Sequence, residues 1–308
     1  PFSPIPITTH PVKYVSSNES EIVSKKVYDL VLFTTEDGLT DKKMRKMTLF
    51  RDMSVLYYEH FSFRSLLFTT TPQLHDFFQN TSVIVVDDFK VNPYGLPIIT
   101  SLFSKAYQTI EAKYYGYLNS DILLQPTVFE VLHYCMNQTE QGVLAREHEL
   151  AGRVYERDFK DIPTRFTSLN QLSEYFTNYS RPRQALRNRG SADYFIFSRP
   201  AMKNVMNVEQ RTVIGRMQVD NYLMGCVWRN ESFRTSELVD TTTVVLGIHE
   251  GKEGFYNRKV EMQSKENRNW NYGVMRNFSV HYGYLSERGN RVVHSNNGIC
   301  CTLSEYTK

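Results

Sequence analysis

Four apolar runs separated by helix-period segments fill the first half of the chain, and they restrict its fold more than any other feature. Val27-Tyr28-Asp29-Leu30-Val31-Leu32-Phe33, Ser65-Leu66-Leu67-Phe68-Thr69, Val83-Ile84-Val85-Val86 and Tyr115-Gly116-Tyr117-Leu118 are short, β-branched or aromatic, and bounded by polar residues. Such runs read as buried strands. Between and after them, the pattern predicts helices over Asp41 to about His60, Pro72 to Gln79, Pro97 to Lys113 and Pro126 to Asn137. Strict strand–helix alternation implies a mainly parallel sheet with helices on both faces.

The second half is less regular. Gly142 to Ala145 predicts a strand, and residues 147–190 read as a polar, arginine-rich loop in which Arg181, Arg183, Arg187 and Arg189 could receive phosphate, although a charge run is more often a solvated face. Order is expected again in a strand at Asp193 to Phe197, a helix opened by Pro200, a helix from Gln218 to Trp228, and a strand through Thr242 to Leu246. Residues 1–24 hold four prolines and a Ser-Ser-Asn-Glu-Ser run, which favours an extended arm or stem remnant over a packed element. The expected division is therefore this arm followed by one domain over 25–308, with a nucleotide-binding half (25–140) and an acceptor half (141–308).

Composition narrows the partners. A net charge of +3 with interspersed signs gives no basic track for nucleic acid. No apolar run reaches the roughly 18 residues that span a bilayer, so membrane attachment is expected only through an N-terminal anchor outside this sequence. Sequons at Asn18, Asn80, Asn137, Asn178, Asn230 and Asn277 exceed chance and suggest a secretory route through ER or Golgi lumen. The four cysteines, Cys135, Cys226, Cys300 and Cys301, fit neither a zinc site nor a CxxC motif; their disulfide pairing stays open.

Ligands of open parallel sheets bind outside the carboxyl ends of the strands. The first strand runs into Thr34-Thr35-Glu36-Asp37-Gly38, the third into Asp87-Asp88, the fourth into Asn119-Ser120-Asp121, and the late one into Gly247-Ile248-His249. Mg2+ and Mn2+ take oxygen ligands and are commonly held by one or two carboxylates plus substrate phosphates, so Asp121 suits a metal–diphosphate site, with His249 as second ligand. Plainer readings stand beside these. Asn119-Ser120-Asp121 also suits an Asx turn, Asp87-Asp88 a turn cap, and His249 a satisfied core histidine.

Asn119-Ser120-Asp121 after a hydrophobic strand resembles the Asp-X-Asp motif of GT-A glycosyltransferases, with Asn in the first position. Asp193 to Phe197, Ile214-Gly215-Arg216 through Asp220-Asn221-Tyr222-Leu223, Val239-Asp240 and Val244 to His249 follow in an order similar to nucleotide-diphospho-sugar transferase-like proteins of that fold. The resemblance covers about 27–250. It implies a GT-A, Rossmann-like, mixed and mainly parallel α/β sheet. It further implies a metal-dependent transferase moving sugar from a nucleotide-sugar donor, expected to be a UDP-sugar, to a glycan, protein or lipid acceptor. Asp121 and His249 would hold Mn2+ or Mg2+. Asn119 would reach the ribose, or the metal through water, Thr34, Thr35 and Asp88 would line the nucleotide pocket, Lys252 and Arg189 would meet the diphosphate, and Asp220 would act as general base. An Arg216–Asp220 pair anchoring a helix end is the structural alternative. A degenerate GT-A domain that binds glycan or partner without turnover is the functional one, and Asn119 keeps it open. A pyrophosphorylase would need a Gly-rich loop after the first strand; only Gly38 is there.

Overall fold

The computed structural model describes residues 26–140, 147–188, 191–206, 211–216, 219–223, 236–250, 265–276, 285, 291–295 and 298–302. In chain order the first half gives β1 (Tyr28–Thr35), α1 (Asp41–His60), β2 (Phe63–Phe68), α2 (Pro72–Phe78), β3 (Val83–Val86), α3 (Ile99–Thr109), β4 (Ala112–Leu118), β5 (Ile122–Leu124) and α4 (Thr127–Glu140). The second half gives β6 (Glu147–Gly152), β7 (Tyr155–Arg157), α5 (Leu169–Thr177), β8 (Tyr194–Ser198), α6 (Arg199–Met206), β9 (Ser236–Asp240), β10 (Gly247–Glu250), α7 (Lys265–Arg268), α8 (Trp270–Arg276), β11 (Arg291–Ser295) and β12 (Gly298–Thr302).

Nine strands form one sheet in the order β12-β11-β9-β6-β8-β4-β1-β2-β3. β4-β1-β2-β3 run parallel, as do β6-β9-β11, and the antiparallel contacts are those of β8 and β12. This is the mixed, mainly parallel α/β sheet flanked by helices that the sequence led us to expect. Period-two alternation on β1 feeds both layers: Leu30 and Leu32 pack with α1, α2, α4 and α5, whereas Val31 and Phe33 pack with α3 and α6. Aromatic rings concentrate the first layer, with Phe129 stacked on Phe61 at 4.0 Å and edge-on to Tyr57 at 5.1 Å.

Three features position the functional end of the sheet. After β4 the chain turns at Asn119–Asp121 and leaves the large sheet, and β5 joins a small sheet of order β5-β10-β7. Gly152 ends β6 where Tyr194 lies across it; a Cβ there would fall 2.0 Å from the tyrosine oxygen, so only glycine admits the ring. Finally, β8 enters reversed, pairing Tyr194 with Leu118 and Ser198 with Tyr114. Its amino end, rather than its carboxyl end, therefore faces the same rim as the end of β4.

The second half departs from expectation in two places. Residues 147–190 are not one loop, because β6, β7 and α5 lie within them. The charged start of β6 misled the reading: Glu149 is fully buried, and its carboxylate accepts the Ser198 N–H at 2.6 Å and the Ser198 hydroxyl at 2.7 Å. α5 is amphipathic, burying Leu172 and Phe176, and is capped by Ser168, whose hydroxyl oxygen accepts the Gln171 N–H at 3.2 Å. Thr242 to Leu246 is a turn between β9 and β10, not a strand. Asp240 accepts the Thr242 N–H at 2.9 Å, and the Thr241 carbonyl accepts those of Val244 and Val245, so their apolar side chains are buried without joining a ladder. Residues 219–223 of the expected Gln218–Trp228 helix are helical. The rest of that helix, the Gly142–Ala145 strand and the 1–24 arm lie outside the described residues. Among the sequon asparagines within them, Asn80, Asn137 and Asn178 are exposed.

Candidate functional site

The site grows from the turn after β4. The Ile122 N–H donates to the Asn119 carbonyl at 3.1 Å, closing the turn and projecting three polar side chains to different partners. Asn119 Oδ1 accepts the Tyr117 hydroxyl at 2.6 Å, and Ser120 Oγ donates to Glu36 Oε2 at 2.8 Å. Asp121 Oδ2 receives Lys46 Nζ at 2.5 Å and lies 3.2 Å from His249 Nε2.

His249 reaches Asp121 because the small sheet brings it there. Antiparallel pairing of β10 with β5 sets His249 opposite Ile122, and the Glu250 N–H donates to the Asp121 carbonyl at 2.8 Å. The imidazole is 1% exposed, so this is a buried meeting of acid and base rather than a surface contact. Lys46 arrives from α1, whose start is fixed by Thr40 accepting the Lys43 N–H at 3.3 Å. Burial alone would raise the Asp121 pKa; the hydrogen bond and charge of His249, with the charge of Lys46, outweigh it and hold the carboxyl well below the usual carboxylate range.

A second acidic group enters at the amino end of β8. Asp193 is buried, accepting Arg187 Nη1 at 2.7 Å and the Val154 N–H at 3.1 Å, and burial raises its pKa to about 6 against those partners. The charge of Asp220 also raises it, and that of His249 lowers it. Asp220 lies in the helical stretch 219–223, with Oδ2 accepting the Ala192 N–H at 3.3 Å and Oδ1 the Asn221 N–H at 3.0 Å. Burial raises its pKa against those hydrogen bonds and the charge of Arg187. Glu250, next to His249, is 2% exposed, and neither carboxylate oxygen has a hydrogen-bond partner; burial, then the Asp121 charge, pushes it up to about 8. It is therefore mostly protonated at neutral pH.

Asp121, His249 and Asp220 thus gather around the ends of β4, β8 and β10, and Asn119 accompanies them with its oxygen engaged. The remaining nominated residues fare differently. Thr34 is wholly buried and its hydroxyl meets no partner, so its side chain faces the core rather than an open pocket. Thr35, on the opposite face of β1, is half-buried. Asp88 is exposed at the end of β3 and pairs with Lys105 at 2.7 Å, an ordinary strand-to-helix ion pair. Arg189 and Lys252 lie outside the described residues. Arg216 grips Asn267 Oδ1 through Nε at 3.1 Å and Nη2 at 3.0 Å, and the arginine whose charge acts on Asp220 is Arg187.

Sequence reasoning missed Lys46, Glu250 and the pairing of Arg187 with Asp193. Arg187 was singled out only as one of four arginines that could receive phosphate, and Asp193 carried a signal in preceding an apolar run as Asp121 follows one. Among the described residues no group of three or more His, Cys, Asp or Glu side chains is arranged to hold a metal ion.

No protein-family model matches the chain, and no curated protein matches it. Solved structures similar to it include a TarS fragment, residues 1–349, from S. aureus, with 10% identity, 42% of this chain covered and a TM-score of 0.28. This chain spans only 36% of that one. A candidate nucleotide-diphospho-sugar transferase from Desulfovibrio desulfuricans G20 shares 9% identity over 82% of this chain and 96% of its own, with a TM-score of 0.37. HddC from Yersinia pseudotuberculosis shares 13% over 60% of this chain and 82% of its own, with a TM-score of 0.32. The chain's own strand order and the reversal at β8 give a mixed, mainly parallel α/β sheet.

Proposed function

We propose that the chain is a metal-dependent glycosyltransferase that takes sugar from a nucleotide-sugar donor, a UDP-sugar, to a glycan, protein or lipid acceptor. One observation carries this reading: a carboxylate and an imidazole, Asp121 and His249, meet at the carboxyl end of the central parallel strand. Their separation suits a shared divalent cation. Two donors in adjacent octahedral positions with bonds of about 2.1 Å are about 3.0 Å apart, close to the observed 3.2 Å. Asp121 Oδ2 and His249 Nε2 would hold Mn2+ or Mg2+, leaving its other positions for donor phosphates and water. When bound, the cation supplies positive charge against the departing nucleoside diphosphate.

Asp220 is the acid–base residue of this reading. Its carboxylate is fixed by two backbone N–H groups and its pKa is raised by burial, which suits removal of a proton from an acceptor hydroxyl. Asn119 keeps its amide N–H groups for the ribose, since its oxygen is taken by Tyr117.

Calorimetry with UDP and Mn2+ tests the reading. Binding in the unaltered chain is expected and is lost in Asp121→Ala, along with Mn2+-dependent donor turnover. Full turnover in that variant, or no UDP binding at millimolar concentration in the unaltered chain, would sink it. The Tyr117 bond that occupies Asn119 favours a second reading, a GT-A domain that binds without turnover. UDP binding with no donor turnover would establish that one.

A further inference from the structure

Lys46 belongs to no part of the catalytic reading, yet it makes the shortest polar contact to the central carboxylate. It sits on the stripe of α1 that carries Phe50, Met53 and Tyr57 into the core, so its stem lies along apolar surface and its ammonium is delivered to Asp121. Both partners are largely shielded, with side chains 15% and 13% exposed. A buried carboxylate needs a counter-charge, and Lys46 provides it on Oδ2, the same oxygen that faces His249.

We propose that Lys46 is a resident counter-ion that competes with a divalent cation for Asp121, so that the cation enters only as the lysine leaves. The competition follows from geometry and charge sign. An ammonium and a divalent ion approaching one carboxylate oxygen repel one another, and the lysine's four-carbon stem lets it move to another anion without backbone rearrangement. A nucleoside diphosphate would be that anion. The competition rests on the cation site of the proposed function, and this last step rests also on its nucleotide donor.

Mn2+ alone is the probe, followed by loss of the free-ion electron paramagnetic resonance signal. Lys46→Met should bind Mn2+ at least tenfold more tightly than the unaltered chain, and Lys46→Arg should bind as weakly as the unaltered chain. Equal affinity in Lys46→Met, or no Mn2+ binding in any form, overturns the proposal. A measurement on the unaltered chain covers the case in which Lys46→Met does not fold: reductive methylation of Lys46 should rise several-fold when Mn2+ is added, and an unchanged rate overturns the competition. Calorimetry of UDP in chelator tests the handover, with at least a tenfold loss expected in Lys46→Met and unchanged affinity refuting it. If UDP fails to bind the unaltered chain in chelator, the handover is refuted, while UDP with Mn2+ decides the transferase reading and the Mn2+ measurements decide the competition.

Discussion

Replacing Asp193 by Asn should flatten part of the acid-side stability profile. Its carboxyl is 6% exposed and, despite Arg187 Nη1 at 2.7 Å and the Val154 N–H at 3.1 Å, burial raises it from 3.8 to about 6. A raised carboxyl holds its proton more tightly in the native than in the unfolded chain. Its contribution to stability is therefore fully present below the unfolded value and is lost as pH rises through the folded one. The difference, 6 − 3.8 = 2.2, converts at about 1.36 kcal/mol each to about 3 kcal/mol. Urea unfolding between pH 3.5 and pH 7, in steps of about half a unit, measures it. Glu250 and Asp220 are also raised, so they contribute to both curves and largely cancel in the comparison. Asn keeps an oxygen for the Val154 N–H and cannot titrate. The unaltered chain should lose about 3 kcal/mol more than Asp193→Asn across the window. Parallel profiles would refute the claim that Asp193 is held partly protonated by burial.

Two further substitutions test how the site is supported. Asp52, on α1, accepts Arg165 Nε at 2.7 Å and the Phe166 N–H at 3.0 Å, tying the helix that carries Lys46 to the segment before α5. Asp52→Ala strands that buried N–H and should cost about 2–4 kcal/mol in denaturant unfolding, discounted for the exposure of Arg165, whereas Asp52→Asn should cost less; equal losses would count against the hydrogen bond as the cause. Gly152→Ala places a methyl group against the Tyr194 ring and should cost about 1–3 kcal/mol, with Gly152→Ala/Tyr194→Phe recovering part by removing the nearest atom. No recovery in the double variant would indicate backbone strain instead.

The parallel half of the fold was legible because its signal is local. α1 spans Asp41–His60 and β3 spans Val83–Val86, as the periodicity predicts. Asp121 was picked out for a related reason, as a polar residue that follows an apolar strand, whereas His249 was picked out from an apolar run that is a turn, and it lies inside β10. Three things were hidden. Glu149 and His148 make β6 look like surface, because the sequence does not show that Ser198 will satisfy a buried carboxylate. Val244 and Val245 look like strand, because apolar burial in a turn has the same composition. Lys46 looks like any lysine on a helix of mixed polarity. Its position on the buried stripe matters only once the end of β4 packs across it, and no local pattern encodes that contact between residues 75 apart.

The departure of β5 into the small sheet also orders events during synthesis. Strands β1 to β4 and α1 can assemble once the first 124 residues are available, which brings Lys46 to Asp121 early. His249 belongs to β10, and its ladder with β5 cannot form until the chain has been made through Glu250. A nascent chain without that strand would hold Asp121 with its lysine alone, already neutralised and able to be buried. Because contacts between distant segments form late, the imidazole is expected to join a pocket whose charge is balanced. Release of an arrested nascent chain shortly before and shortly after residue 250 should therefore give species that share the β1–β4 core and differ in whether the small sheet is closed.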